Sequence, residues 1–159
     1  MARHSASGTT AAALANGNAI CSIVPGASTN FKLLRACFGV STAGNTPTDF
    51  QIAVGVNRAT ARGTSSGTAT INKFDPLSPT TSITAVDNAW SAQPTLAAAD
   101  AQTFAFNSRG NADVYYGAGT GADDFASTTG AANAIVFVNR SGAALPANHS
   151  IVWTVEFED

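Results

Sequence analysis

The chain has 159 residues, eight of them basic and ten acidic, with a formal net charge of −2 and two cysteines. That length suits one domain with its own core, burying about 70% of the surface its unfolded chain exposes. The charge balance excludes a basic nucleic-acid binder, because phosphate neutralisation needs a positive field and no Lys/Arg cluster supplies one locally.

Charged residues make up 11% of the chain, against about 25% in ordinary soluble domains. A surface so poor in charge is either solvated by hydroxyls and amides or partly covered by partners. Cys21 and Cys37 are too few for a disulfide framework; each sits in an apolar strand pattern, which favours free buried thiols. Met1 to Ala19 has no apolar h-region, so no signal peptide is expected, and no run approaches the roughly 18 apolar residues of a membrane span. The sequons at Asn139 and Asn148 bear only on a secreted eukaryotic protein.

Residues 1–17 are small, polar and nearly free of core material, with Leu14 the only large aliphatic beyond Met1. Such a segment cannot repay its ordering entropy by apolar burial. It is expected to be an extended docking arm, separate from a folded body over 18–159 and ordered by a neighbouring chain. Arg3 and His4 would supply its polar contacts; an edge strand in its own sheet is the alternative. Thr10 to Ala15 is too short for an independent helix, and Asn16-Gly17 signals a turn.

Ala19 to Val24 reads as a strand closed by Pro25-Gly26. Asn30 to Val40 reads as the next, with Leu34, Ala36, Phe38 and Val40 on its apolar face and Phe31 and Leu33 on the other. Phe50, Ile52, Val54 and Val56 then alternate with Gln51, Ala53, Gly55 and Asn57, the period of a long half-buried strand. The small residues of its second face leave room for another surface, or face water. After the Gly/Ser/Thr stretch 63–70, Pro76, Pro79 and Pro94 predict an extended, irregular crossover and no central strand, anchored by Trp90 and Leu96.

Thr103 to Phe106 and Ala112 to Tyr116 read as two strands joined across 107–110. Residues 117–130 form a second small-residue loop, with Phe125 as its expected anchor. Ala134 to Arg140 is nearly continuously apolar, which predicts burial on both faces. The last strand places Ile151, Trp153, Val155 and Phe157 on one face and Val152, Thr154, Glu156 and Glu158 on the other. About eight strands with long loops and no helix indicate an all-β antiparallel β-sandwich, jelly-roll-like ahead of immunoglobulin-like.

Residues able to carry chemistry are sparse. His4 and His149 lie far apart, neither at metal-ligand spacing from a cysteine, and both are expected in loops or facing solvent. No G-x-S-x-G motif occurs. The glycine-rich 117–121 lacks the Lys-Ser/Thr and the helix of a phosphate loop. Asp123-Asp124 could hold calcium with neighbouring carbonyls, but without a D-x-D-x-D context solvated loop charges are the simpler account. Glu156, Glu158 and Asp159 read as solubilising charge or an edge guard. Arg58, Arg62 and Arg109 each follow or interrupt a strand at a turn, where a guanidinium either ties a loop down or forks onto a partner's carboxylate. No cofactor is implied.

Several segments in order resemble the jelly-roll capsid decoration (cement) proteins of tailed bacteriophages. They are F-K-L-L-R-A-C-F-G-V (31–40), P-T-D-F-Q-I-A-V-G-V-N-R-A-T-A-R-G-T (47–64), F-D-P-L-S-P (74–79), W-S-A-Q-P-T-L (90–96), N-S-R-G-N-A (107–112), R-S-G (140–142) and W-T-V-E-F-E-D (153–159). No single piece is specific; their shared order across 31–159 carries the likeness, and residues 1–30 lie outside it. The resemblance implies a non-enzymatic β-sandwich that trimerises and sits on the outer surface of an HK97-type major capsid protein shell. Contact with neither nucleic acid nor membrane is implied. On that reading Arg3, His4, Arg58, Arg62 and Arg109 are the candidate capsid or subunit contacts. The alternative is a jelly-roll carbohydrate- or receptor-binding domain of a virion head or tail fibre, for which Trp90, Tyr115, Tyr116 and Asp123 are the candidate residues. A hydrolytic β-sandwich would need a convergent acid/base set that the sequence does not offer.

Overall fold

A computed structural model of the chain describes residues 2–44, 48–117 and 125–159. They form two antiparallel sheets packed face to face, an all-β sandwich. In chain order the strands are β1 (Arg3–Thr9), β2 (Ala19–Val24), β3 (Lys32–Thr42), β4 (Gln51–Ala61), β5 (Thr64–Ala69), β6 (Ile71–Lys73) and β7 (Ala85–Ala92). There follow β8 (Thr95–Leu96), β9 (Gln102–Asn107), β10 (Ala112–Tyr115), a 3-10 turn at Ala131–Asn133, β11 (Ile135–Asn139) and β12 (His149–Glu158). One sheet has the order β10-β3-β12-β1-β6; the other runs β5-β7-β2-β11-β4, with β8 and β9 sharing the far edge of β4.

The pairing has a simple rule. β1 pairs with β12, β2 with β11, β3 with β10 and β4 with β9, all antiparallel. Eight strands thus nest in pairs, first with last down to the innermost two, as one long hairpin rolled up on itself, which is the jelly roll. β5 to β8 are an insertion within that hairpin, between β4 and β9.

Alternation along the strands fills the space between the sheets. Ile151, Trp153, Val155 and Phe157 of β12 are all buried, facing Ile52, Val54 and Val56 of β4 and Ile135 and Phe137 of β11. Phe38 lies 5.2 Å from Phe137 and 5.7 Å from Phe104, and Phe31 meets Phe157 edge-on at 5.9 Å, ring geometries that add to area burial. The seven-stranded sheet has a second apolar layer on its other side, built from Ala19, Val24, Ala59, Ala134, Val136 and Val138 with Trp90 and Leu96 packed over it. This is why β11 is buried on both faces, as its unbroken apolar run indicated. Trp90 and Leu96 do anchor the crossover.

The N-terminal segment is not an arm. Arg3 to Thr9 pair residue by residue with Glu158 to Val152, and β6 pairs on the other side of β1. Ladder hydrogen bonds on both sides supply what large apolar side chains do not. Smallness is a requirement here: Ala6 is wholly buried, and a Cβ at Gly8 would fall 2.5 Å from Cζ2 of Trp153. Residues 10–17 are held as well, through Ala13 N donating to His149 O, Leu145 N to Leu14 O, and Gly17 N to Asn139 O.

Two further expectations need correction. In β3 the pairing with β12 slips between Glu156 and Phe157, leaving Leu34 as an extra residue, a β-bulge. Leu33, Ala36 and Phe38 therefore face the core, while Leu34 is only half-buried. In the crossover, residues 75–84 are irregular, but β7 is an internal strand between β5 and β2. Its prolines lie outside β7, so the ladder keeps its donors.

Candidate functional site

The arginines divide by what they reach. Arg62 forks onto Asp87, its Nε and Nη2 each donating at 2.8 Å to a carboxylate that is wholly buried in β7. Arg58 donates from Nη2 to the carbonyl of Ala126 and lies over the ring of Phe125 at 5.2 Å, pinning the segment at 125–127. Both are tethers within the chain. Arg109 is 63% exposed and only loosely opposite Asp49, at 3.7 Å. Arg3 is half exposed, pairs with Glu156 and lies 4.6 Å over the ring of Phe74.

Arg140, unremarked in the sequence, makes a second fork. Its Nε and Nη2 donate at 2.8 Å to Asp100, which also accepts from Asn57 Nδ2 at 2.7 Å. Gly55 lets this pair sit against the sheet, since a Cβ there would fall 2.5 Å from Asp100 Oδ2. The small second face of β4 thus receives its own chain. The Arg140 guanidinium holds the Asp100 carboxyl below its ordinary value.

The histidines are not in solvent. His4 is fully buried on β1 with Nε2 3.1 Å from Asp159 Oδ1, though not aligned for a hydrogen bond. The other oxygen of Asp159 accepts from Thr81 Oγ1, Ser82 N and Ser82 Oγ at 2.8, 2.8 and 3.0 Å. His149, also buried, lies 3.0 Å from the Ala147 carbonyl through Nδ1 and accepts from Thr48 N at Nε2, 3.2 Å. Those two partners together select the neutral ring protonated on Nδ1. Both histidines are buried within their own chain.

Glu156, expected to face water, is buried under two guanidiniums. Arg35 donates from Nη1 to Glu156 Oε1 at 3.1 Å, while its Nε and Nη2 fork onto Asp113 at 2.7 Å each. Asp113 on β10, Arg35 on β3, Glu156 on β12 and Arg3 on β1 form one alternating row of charge across the outer face of the five-stranded sheet. Hydrogen bonds from Arg35 hold the Asp113 carboxyl below its ordinary value. No local pattern in the sequence marks this row, because its members come from four strands spread over the whole chain.

Around the row lie the exposed large apolar side chains: Tyr115 at 55%, Val152 at 40%, Phe74 at 52% and Leu77 at 93%. Tyr115 is 5.3 Å from the Arg35 guanidinium, and Val152 shares the outer face of β12 with Glu156. Leu77 stands on the turn after β6. That turn is braced by Leu77 N donating to Asp75 Oδ1 at 2.9 Å, Ser78 N to Asp75 O at 3.0 Å, and Lys73 Nζ to Ser78 O at 2.8 Å. All four belong to the five-stranded sheet and its connections. The seven-stranded sheet, whose outer apolar layer is packed by Trp90 and Leu96, offers no counterpart among the described residues.

Cys21 is a free thiol in the core and Cys37 a free, half-buried one on the outer side of β3. Burial pushes the Cys21 thiol well above its usual value. Among the described residues no group of three or more His, Cys, Asp or Glu could hold a metal ion; Asp123-Asp124 and the glycine-rich 118–121 lie outside them. No helix among these residues is long and apolar enough to cross a membrane. Comparison of the chain with family models, with curated proteins and with solved structures finds no match in any of the three.

Proposed function

We propose that this chain is a non-enzymatic capsid decoration protein, a homotrimer that binds the outer surface of an HK97-type shell of a tailed phage and stabilises it. The observation that carries the reading is the asymmetry of the two sheets. One closes its outer face with a second apolar layer on which Trp90 and Leu96 of the insertion pack, while the other, with its connections, presents Tyr115, Val152, Phe74 and Leu77 beside a row of charges already paired with one another. Such a row can be buried against protein without stranding its charges, and with Arg3 and Arg35 already on carboxylates it is a poor partner for phosphate.

The F-D-P-L-S-P segment supports the same reading. Among the segments that carry the family resemblance, it is the one whose leucine the sandwich does not use. A fully exposed leucine on a braced turn contributes little to the fold, yet would serve as an anchor for a partner's pocket. Trimerisation would tie three such weak contacts together, so that avidity replaces area.

Co-sedimentation with undecorated shells tests the reading. Binding at a fixed number of trimers per shell supports it. Absence of binding, together with a monomer at sedimentation equilibrium, overturns it.

A further inference from the structure

A pocket of about 200 Å³ opens at the rim of the seven-stranded sheet, between the turn that follows β1 and the end of β7. Thr10, Asn18, Asn88, Trp90 and Gln93 line it, with Leu14 and three alanines between them and no charged side chain. Trp90 is half-buried, with its indole Nε1–H out of contact with solvent and without a hydrogen-bond partner. From these residues we infer a binding site for a neutral sugar ring, a pyranose or its N-acetylated form.

The chemistry follows from the side chains. A sugar hydroxyl both donates and accepts, so it is matched by amides, which carry an oxygen acceptor and an NH₂ donor on one group. Asn18, Asn88 and Gln93 supply three such groups around one pocket. The indole offers a flat apolar body for the C–H face of a ring. A phosphate or carboxylate ligand would find no cation here, and a purely apolar one would leave the amides unpaired. The volume admits one ring, below the roughly 300 Å³ where pockets for drug-sized ligands begin.

The walls are already in place. Gln93 Oε1 accepts from Ala19 N at 2.9 Å, which turns its NH₂ to other uses. The carbonyl of Asn18 accepts from Asn139 N at 2.9 Å, and the buried Asn139 side chain donates to the carbonyls of Leu14 and Ala15 at 3.0 and 3.2 Å. Trp90 packs on the second apolar layer. A site so braced pays little ordering cost on binding. It lies on the opposite sheet from the exposed apolar face, so it stands independently of the shell-binding proposal and would remain open on a decorated particle.

The test is an NMR titration of the isolated full chain with methyl glycosides of glucose, galactose and mannose and with N-acetylglucosamine. The two tryptophans give two indole N–H resonances, and the core Trp153 is the internal control. The expected result is a saturable shift of the Trp90 resonance alone for at least one sugar, with Kd on the order of 1 mM. Asn88→Ala should weaken binding about tenfold, and Trp90→Phe should abolish it, with the remaining spectrum and shell co-sedimentation unchanged. No saturable shift with any of these sugars, an equal shift with glycerol, or full affinity in Asn88→Ala would overturn the site. Because Asn88 is not part of the packed layer, that variant decides the matter even if Trp90→Phe fails to fold.

Discussion

Gly8 on β1 lies directly beneath Trp153 on β12: a Cβ at residue 8 would stand 2.5 Å from Cζ2 and 2.9 Å from Cε2 of the indole. The two are register partners, so neither can move without breaking the ladder that joins the strands. Gly8→Ala should destabilise the chain by about 1–3 kcal/mol through overpacking. Trp153→Ala should cost about 3–5 kcal/mol through the cavity it leaves. Because the residues touch, the pair should not be additive: Gly8→Ala should cost less in a Trp153→Phe background. Denaturant melts of the four variants check this, and strict additivity would mean the contact is relaxed in solution.

Arg62 and Asp87 form an asymmetric pair, with the Asp87 side chain 0% and the Arg62 side chain 30% exposed. Arg62→Ala leaves a carboxylate buried without compensation and should cost about 3–5 kcal/mol. Asp87→Asn leaves only a cation that can turn to water, and should cost clearly less. Chemical denaturation that ranks the two the other way would show that Asp87 is hydrated in solution.

Acid should reach Asp100 late. Its folded-state pKa is held below the ordinary 3.8, chiefly by hydrogen bonds from Arg140. A group depressed in the folded state contributes its full stability above the unfolded value and loses it as pH falls through the folded value. The contribution is therefore intact at neutrality and disappears in the window below 3.8. Urea midpoints of wild type and Asp100→Asn should converge as pH falls through that window. Parallel acid limbs would exclude the Arg140 pair as a source of acid sensitivity.

Tyr116 makes the opposite prediction at the alkaline end. Burial pushes its phenol from 10.0 up to about 12. Its neutral form is favoured by folding, so that part of the stability is whole below the unfolded value and is lost as pH rises through the folded one. Ultraviolet titration should show one of the two tyrosines ionising late, near pH 12. Two equal steps near 10 in the folded chain would refute its burial.

Deleting residues 2–9 should abolish cooperative folding rather than merely weaken binding, because β1 fills the gap between β12 and β6. Leu77→Ser and Tyr115→Ser should do the reverse, leaving the melting temperature within about 2 °C and reducing co-sedimentation with shells. If both surface variants bind as wild type does, the exposed face of the five-stranded sheet is not the shell contact.

What the sequence disclosed follows a physical line. β12 could be read residue by residue because its own alternation is unbroken and its inward side chains are large. β11 announced its two buried faces by carrying no polar residue between Ile135 and Val138. β1 was misread because its ordering comes from backbone pairing with residues about 150 positions away, and a strand made of Ser, Ala and Gly carries no hydrophobic period. The alternation through Ala36 and Phe38 points Leu34 into the core, but one inserted residue reverses the phase before it, and a bulge leaves no mark in composition. The candidate contacts fared unevenly for a related reason. That Arg58 or Arg62 would bind something was legible from its place at a turn; that the partner is Ala126 or Asp87 depends on the roll. The row from Asp113 to Arg3 was invisible for the same reason.

The nested pairing also sets an order of events during synthesis. β12 is the middle strand of its sheet, and both β1 and β3 depend on it for a neighbour. Until residues 149–158 leave the ribosome, β1 has only the three-residue β6 to pair with. Translation at about 5–20 residues per second leaves those early strands waiting for seconds with their edges open. A nascent strand of Val and Ile would be sticky through that interval; Arg-His-Ser-Ala-Ser-Gly-Thr is not. The polarity that disguised β1 as a tail is what lets it wait, soluble and unpaired, for the last strand to arrive.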